Sequence, residues 1–141
     1  MTKEELENLY KNKVLPESEN PFHFIDIENE KFGIEAFNPI CGDRFELYLR
    51  GEDKKQLFFK GNGCAISKAS SSLLCRIVEG KSLAELKVIL EMILNSNNDA
   101  GLHLINSEEL KTLSEMKNFE SRQDCVRLSW DALYRYIKVK S

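Results

Sequence analysis

The sequence predicts an α+β protein, in which a small antiparallel sheet of about three strands carries helices packed on one face. Apolar residues alternate with a period of two between residues 22 and 63, and further along they recur at steps of three and four. Strands therefore precede helices along the chain, an order typical of α+β proteins. The 141 residues are expected to form a single domain, of which residues 1–32 are an N-terminal helix and linker.

The N-terminal half is predicted to hold one helix and the sheet. A weak helical pattern covers residues 3–14, and Pro16 with the polar residues after it is expected to end that helix. Residues 44–50 alternate between polar and apolar side chains, residues 51–55 have the composition of a turn, and residues 57–60 restart a strand. This spacing predicts a β-hairpin. Residues 22–27 and 32–37 are weaker strand candidates that would complete a sheet of three or four strands.

The C-terminal half is predicted to be helical throughout. The first helix covers residues 66–77, with Gly80 as its C-terminal cap. Ser82 and Glu85 have the spacing of a capping box, which would open a second helix that the polar residues 95–99 end. Asn106 or Ser107 would cap a short third helix to residue 116. A last helix over residues 121–138 would bury its apolar stripe, which consists of Val126, Trp130, Leu133 and Ile137.

Composition excludes several classes of protein. A hydrophobic content of 42% is ordinary for a globular domain and argues against a disordered or fibrous chain. Twenty basic residues against 23 acidic ones give no cationic surplus, so neither a general nucleic-acid binder nor a binder of acidic membranes is expected. No stretch is long and apolar enough for a membrane span, and the acidic N-terminus lacks the apolar core of a signal sequence. A cytoplasmic location is therefore expected.

The four cysteines carry the main chemical signal. In a reducing compartment they indicate metal binding, reactivity or packing before disulfides. Cys41 lies in a turn rich in proline and glycine, and Cys64 and Cys125 lie at predicted helix starts, where free N–H groups favour a thiolate. Together with Asp43 these three can form a tetrahedral site of three sulfurs and one oxygen, although their wide spacing matches no local zinc signature. Cys75 is mid-helix and is assigned to packing.

The remaining candidates are weak. His23 and His103 are interpreted as surface or packing residues, and the serines at positions 70–72 as small residues that allow close helix packing. The chain has no Gly-x-Ser-x-Gly motif for a nucleophilic serine. The glycines at positions 61 and 63 lack the third glycine of a dinucleotide-binding loop, which argues against a nucleotide site.

Three cysteine segments together resemble the U-type sulfur-assembly scaffolds, the IscU and NifU N-terminal family, and most closely its SufU branch. Residues 38–43 (Asn-Pro-Ile-Cys-Gly-Asp) match the first motif, residues 61–72 the second, and Arg122-x-x-Cys125-x-x-Leu128-x-Trp130 the third. The IscU branch has a histidine directly before its third cysteine, whereas this chain has Asp124. The long stretch between the second and third cysteines also resembles an insertion typical of the SufU branch.

The resemblance implies a SufE/NifU-like fold and a zinc-containing, sulfurtransferase-like sulfur carrier. A SufS-like cysteine desulfurase that uses pyridoxal phosphate would pass persulfide sulfur to Cys41. At rest Cys41 would hold zinc together with Asp43, Cys64 and Cys125. When the proteins dock, a histidine of the desulfurase would replace one zinc ligand and free Cys41 to attack. Arg122 would orient Asp43 or stabilise the thiolate, and downstream cluster-assembly proteins would receive the sulfur.

Two alternatives use the same residues. The first is a scaffold on which a [2Fe–2S] cluster is assembled and then transferred, and Asp124 in place of histidine favours the zinc carrier over it. The second is a small α+β adaptor whose zinc is purely structural. These hypotheses differ in what the loss of Cys41 should do: an adaptor loses stability, whereas a carrier loses its effect on the desulfurase.

Overall fold

A computed structural model describes residues 1–26, 31–95 and 104–140 of the chain. Three strands form one antiparallel sheet in the order β1-β2-β3, with β1 at Ile34–Phe37, β2 at Arg44–Arg50 and β3 at Gln56–Asn62. This confirms the predicted hairpin and the three-stranded sheet. Of the two weaker strand candidates, the second contains β1, whereas the first contributes only an isolated bridge from Phe24 to Phe59.

The sheet buries one face against the helices. Ile34 pairs with Leu47, and Leu47 in turn pairs with Phe59, so three apolar side chains line up across the strands on the same face. All three are buried, as expected when successive residues of a strand point to opposite faces. The charged pair Glu46 and Lys60 occupies the other face. The predicted α+β class, with helices on one face, is confirmed.

The N-terminal helix continues past the predicted end. Helix α1 covers Lys3–Leu9, one turn of π-helix covers Tyr10–Val14, and α2 covers Leu15–Glu19. The prediction that Pro16 ends the helix was wrong. Pro16 lies in the first turn of α2, directly after the π-helical turn, where the hydrogen-bond register of the helix changes.

Four helices make the second layer and follow the predicted order. They are α3 at Ala65–Val78, α4 at Leu83–Asn95, α5 at Ser107–Met116 and α6 at Gln123–Lys140, with a turn of 3₁₀-helix at Glu120–Arg122 before α6. The capping box at Ser82 is present, and Asn106 caps α5. The predicted end of the second helix at residues 96–99 lies outside the described residues, as does His103.

The core lies between the sheet and the helices, and α3 is its central element. Helix α3 packs against β3, α2 and α6. Cys75 on α3 has no exposed surface, which agrees with its assignment to packing. Trp130 on α6 is 1% exposed and is among the largest fully buried side chains. Within the described ranges, none of the helices has both the length and the apolar character that a membrane span requires.

His23 has a packing role. Its ring stacks on Phe22 and on Phe58, with ring centroids 3.9 and 4.4 Å apart, and its Nδ1 lies 2.9 Å from the carbonyl oxygen of Leu57. It has a φ of 55° and therefore occupies a bend rather than the extended edge strand that the sequence suggested. The stacking holds the segment after α2 along the edge of β3.

Candidate metal centre

The loop between β1 and β2 places Cys41 and Asp43. The Gly42 N–H donates to the Asn38 carbonyl oxygen at 2.8 Å, and the Asn38 N–H donates to the Asp43 carbonyl oxygen at 2.9 Å. Gly42 has a φ of +81°, a conformation that suits glycine. The closed turn leaves the Cys41 side chain exposed and buries Asp43 to 6% exposure.

Cys64 is the N-cap of α3. Its Sγ accepts a hydrogen bond from the Ser67 N–H at 3.4 Å, and its own N–H donates to Oδ1 of Asp43 at 3.2 Å. Gly63 before it has no room for a side chain, because a Cβ there would lie 2.6 Å from Cζ of Phe45. The predicted position at a helix start is thus what the structure shows, and the adjacent glycine lets the chain pass close to β2.

Cys125 lies in the first turn of α6 and is 4% exposed. Burial, the negative charge of Cys64 and a hydrogen bond with the Cys64 side chain raise the pKa of Cys125 to about 12, while a hydrogen bond with Arg122 acts in the opposite direction. A metal that binds here must therefore displace a proton from Cys125.

Arg122 lies in the 3₁₀ turn directly before α6. The hydrogen bond to Cys125 is the main cause that raises the pKa of the Arg122 guanidinium, followed by the negative charges of Cys64 and Cys125. Asp43 adds a smaller contribution of the same sign. Because a guanidinium is charged at every physiological pH, Arg122 supplies a fixed positive charge beside these groups.

Side chains from three separate elements converge at this point. One ligand atom each from Cys41, Asp43 and Cys125 lies within 4.8 Å of the other two. Cys64 is not in that group of three, but its charge acts on the pKa of the Cys125 thiol and its N–H donates to Oδ1 of Asp43. The structure thus brings together all five residues singled out in the sequence.

The donor set fits a metal ion. Two sulfur ligands about 2.3 Å from a tetrahedral zinc lie about 3.8 Å apart, so separations up to 4.8 Å need to close by only about 1 Å. Within the described part of the chain, Oδ2 of Asp43 is buried and has no hydrogen-bond partner. Such orphaned acceptors are rare in native proteins, and a cation would satisfy this one. The side chains of Cys41, Asp43 and Cys125 could therefore hold a metal ion.

Two features of the site were missed in the sequence. Ser67 contacts the Cys64 thiol with its N–H and its hydroxyl, and the signal for it was its position three residues after an N-cap. Ile40, beside Cys41, is 89% exposed. No periodic pattern covers this loop, so no local signal predicts that exposure.

Comparison with known proteins places the chain in a family. The sequence model of the family described as the NifU-like N-terminal domain matches residues 9–101. The chain belongs to this family of NifU-like N-terminal domains. The match contains Cys41, Asp43 and Cys64, whereas Arg122 and Cys125 lie beyond it.

Members of the NifU-like family with curated names resemble this chain over most of its length. The zinc-dependent sulfurtransferase SufU of Bacillus subtilis (strain 168) is 31% identical over 91% of this chain and 88% of its own. The iron–sulfur cluster assembly scaffold protein IscU of Streptococcus pyogenes serotype M1 is 35% identical over 98% of this chain and 88% of its own. The SufU crystal structure from Fervidobacterium islandicum AW-1, described as a putative scaffold for the SUF system, superposes with a TM-score of 0.69 at 26% identity, covering 89% of this chain and 93% of that one.

Proposed function

We propose that this protein accepts persulfide sulfur from a cysteine desulfurase on Cys41 and carries it into iron–sulfur cluster assembly. Zinc would be held by Asp43, Cys64 and Cys125 and, at rest, by Cys41. The observation that carries the proposal is a difference in exposure: Cys41 is exposed, whereas Asp43 and Cys125 are 6% and 4% exposed. Cys41 is thus accessible to a partner protein, whereas Asp43 and Cys125 are enclosed and Cys64 is partly exposed.

The elements that hold the ligands support this division of roles. Cys64 and Cys125 belong to helices α3 and α6, which pack against each other, and Asp43 is tied to Cys64 by a hydrogen bond. Cys41 lies in a short turn with no helix to fix it. Movement of the Cys41 side chain toward a partner therefore requires no change in the helices.

The chemical step is the transfer of one sulfur atom. The Cys41 thiolate attacks the outer sulfur of the persulfide on the desulfurase. A sulfur–sulfur bond forms at Cys41, the sulfur–sulfur bond of the donor breaks, and the electron pair stays on the desulfurase cysteine as a thiolate. Zinc, when bound, keeps its cysteine ligands deprotonated at neutral pH. Arg122 stabilises the negative charge that gathers around these thiols.

The test locates the transferred sulfur and measures desulfurase turnover in the same sample. Full-length protein is mixed with a cysteine desulfurase and cysteine, and intact mass and peptide mapping locate the added sulfur. We expect one extra sulfur on Cys41, none in Cys41→Ala, and normal transfer in the matched control Cys75→Ala. The Cys41→Ala protein should remain folded. If Cys41→Ala still stimulates the desulfurase fully, Cys41 is not the acceptor and the proposal fails.

A second candidate function is a scaffold on which a [2Fe–2S] cluster is built. It is favoured by the 35% identity to a protein named an IscU scaffold, and it needs the same cysteines. Elemental analysis and visible spectra of protein purified without oxygen distinguish the two. Stoichiometric zinc without iron–sulfur absorption supports the carrier, whereas an iron–sulfur chromophore with little zinc supports the scaffold.

A further inference from the structure

A chain of buried hydrogen bonds links Cys64 to the helix that carries Cys125. The Ser67 N–H donates to Cys64 Sγ at 3.4 Å, and the carbonyl oxygen of Ser67 accepts from Ser71 Oγ at 2.8 Å. Ser71 Oγ in turn lies 2.6 Å from Oγ of Ser129. Ser129 is four residues after Cys125, which is one turn further along α6.

A second link crosses the same helix interface. Ser70 Oγ donates to the carbonyl oxygen of Val126 at 2.5 Å and accepts from Nε1 of Trp130 at 2.9 Å. Val126 and Trp130 follow Cys125 on α6 by one and five residues. Two consecutive serines of α3 therefore bind the N-terminal part of α6.

The proton count fixes the direction of the Ser71–Ser129 bond. A serine hydroxyl has one proton to donate. Ser71 uses its proton on the Ser67 carbonyl oxygen, so Ser129 must be the donor to Ser71. Ser71 and Ser129 are each 1% exposed, so no solvent is available to replace a lost partner. A shift of one helix against the other would thus leave a buried hydroxyl without a partner, which is costly.

We propose that Ser71 and Ser129 are positioning residues of the metal centre. Their hydrogen bond fixes the separation of the two helix starts that bring Cys64 and Cys125 to the metal. This inference rests on the proposed function in one respect, namely that these two cysteines hold the metal. It adds a determinant of site geometry that lies in the interior, away from every ligand.

Ser72 supplies a matched control on the same helix. Its hydroxyl is also fully buried, but it hydrogen-bonds to the Glu17 carboxylate and accepts from the Phe22 N–H at 2.7 Å. These partners belong to the N-terminal segment and not to α6. Ser72→Ala therefore removes a buried hydroxyl of the same size without loosening the α3–α6 contact.

The experiment compares full-length Ser71→Ala, Ser129→Ala and Ser72→Ala with the unchanged protein. Zinc affinity is measured by competition with a chelator, and the visible spectrum of the Co²⁺-loaded protein reports the ligand geometry. Loss of a group that orients metal ligands typically lowers metal affinity by about 10–100-fold. We expect a loss in that range and an altered Co²⁺ spectrum for Ser71→Ala and Ser129→Ala, and neither change for Ser72→Ala.

The double variant Ser71→Ala/Ser129→Ala separates positioning from packing. If the two hydroxyls act through their shared bond, the loss of zinc affinity in the double variant is smaller than the product of the single losses. The double variant also replaces Ser71→Ala if the latter fails to fold, since it leaves no unpaired hydroxyl.

The outcomes separate this inference from the proposed function. The positioning role would be overturned if Ser71→Ala and Ser129→Ala bind zinc within twofold of the affinity of Ser72→Ala. It would also be overturned if the loss of zinc affinity in the double variant equals the product of the two single losses. Either result would leave the metal centre in place. If the wild-type protein binds no zinc through Cys64 and Cys125, both the positioning role and the proposed function are overturned.

Discussion

The backbone N–H of Cys64 donates to Oδ1 of Asp43 at 3.2 Å, and this bond joins the start of α3 to the loop between β1 and β2. It occupies one carboxylate oxygen of Asp43. The other oxygen is buried and unpartnered among the described residues. The carboxylate is thus fixed in orientation by one oxygen and available to a cation through the other.

Asp43→Asn should lower metal affinity with little effect on the fold. The amide oxygen can still accept the hydrogen bond from Cys64, but the neutral side chain is a weak ligand for zinc. We expect a loss of about tenfold or more, since even changes beyond the ligands cost that much. Chelator competition measures the affinity, and circular dichroism checks the fold. The control is Asp131→Asn, which removes a partly exposed carboxylate on α6 that pairs with Arg127 of the same helix. An Asp43→Asn protein that binds zinc as tightly as this control would argue against Asp43 as a ligand.

Gly63→Ala should destabilise the protein. The added Cβ would meet Cζ of Phe45 at 2.6 Å and Oγ of Ser67 at 2.5 Å, both far inside normal contact distance. Overpacking of this kind costs about 1–3 kcal/mol in the free energy of unfolding. Chemical denaturation measures it. Gly33→Ala is the control, since a Cβ there meets nothing within 4 Å, and it should change stability by no more than about 0.5 kcal/mol. Equal stabilities of the two variants would contradict the contacts described at Gly63.

Cys75 should resist alkylation in the native protein. The residue has no exposed surface, and burial, followed by the charge of Glu79, raises the pKa of its thiol well above the usual range. Cys41 is exposed and should react first in metal-free protein. Time-resolved labelling with iodoacetamide and peptide mapping gives the order of reaction. Labelling of Cys75 at the rate of Cys41 without denaturant would show that the core around α3 opens readily.

Glu109 should produce a small loss of stability as the pH rises. Burial is the main cause that raises the pKa of this carboxyl in the folded protein. The folded state therefore binds its proton more tightly, so a destabilising contribution appears as the pH rises through the interval between the unfolded and folded pKa values. It is fully present above that interval and absent below it.

The variant Glu109→Gln should accordingly be more stable than the unchanged protein at neutral pH. The gain should be about 0.5 kcal/mol or less, because the site is largely solvated. It should vanish in acid below the ordinary pKa of glutamate. Glu108→Gln is the matched control, since Glu108 is exposed and lies in the same first turn of α5. Thermal melts across the pH range measure both variants, and a gain that persists in acid would rule out this explanation.

Local signals predicted much of the fold. The alternation in residues 44–50, the capping box at Ser82 and the cap at Asn106 depend on neighbours within four residues, and each is present. The prediction that Pro16 ends the helix was wrong because a proline interrupts a helix in its interior but is tolerated in a first turn, and the local sequence does not show which position it occupies. His23 lies in a predicted strand, but its φ is positive. Its ring stacks on Phe22 and Phe58, and the local sequence does not reveal the contact with Phe58.

The candidate site was only partly accessible to the same reasoning. Helix starts and a turn suggested which three cysteines could converge with Asp43, and the family motifs added Arg122. The hydrogen bond between Ser71 and Ser129 joins residues 58 positions apart. Nothing in either local sequence distinguishes a serine that bonds across helices from one that only permits close packing, and the serines were interpreted as the latter.

The position of Cys125 in the last helix bears on how the molecule is made. During synthesis the loop with Cys41 and Asp43 emerges first and the start of α3 follows, whereas Arg122 and Cys125 come only with α6. A nascent chain that lacks α6 also leaves the apolar side of α3 without its partner helix. Closure of the core and completion of the ligand set are therefore the same late event, and a truncated chain has neither.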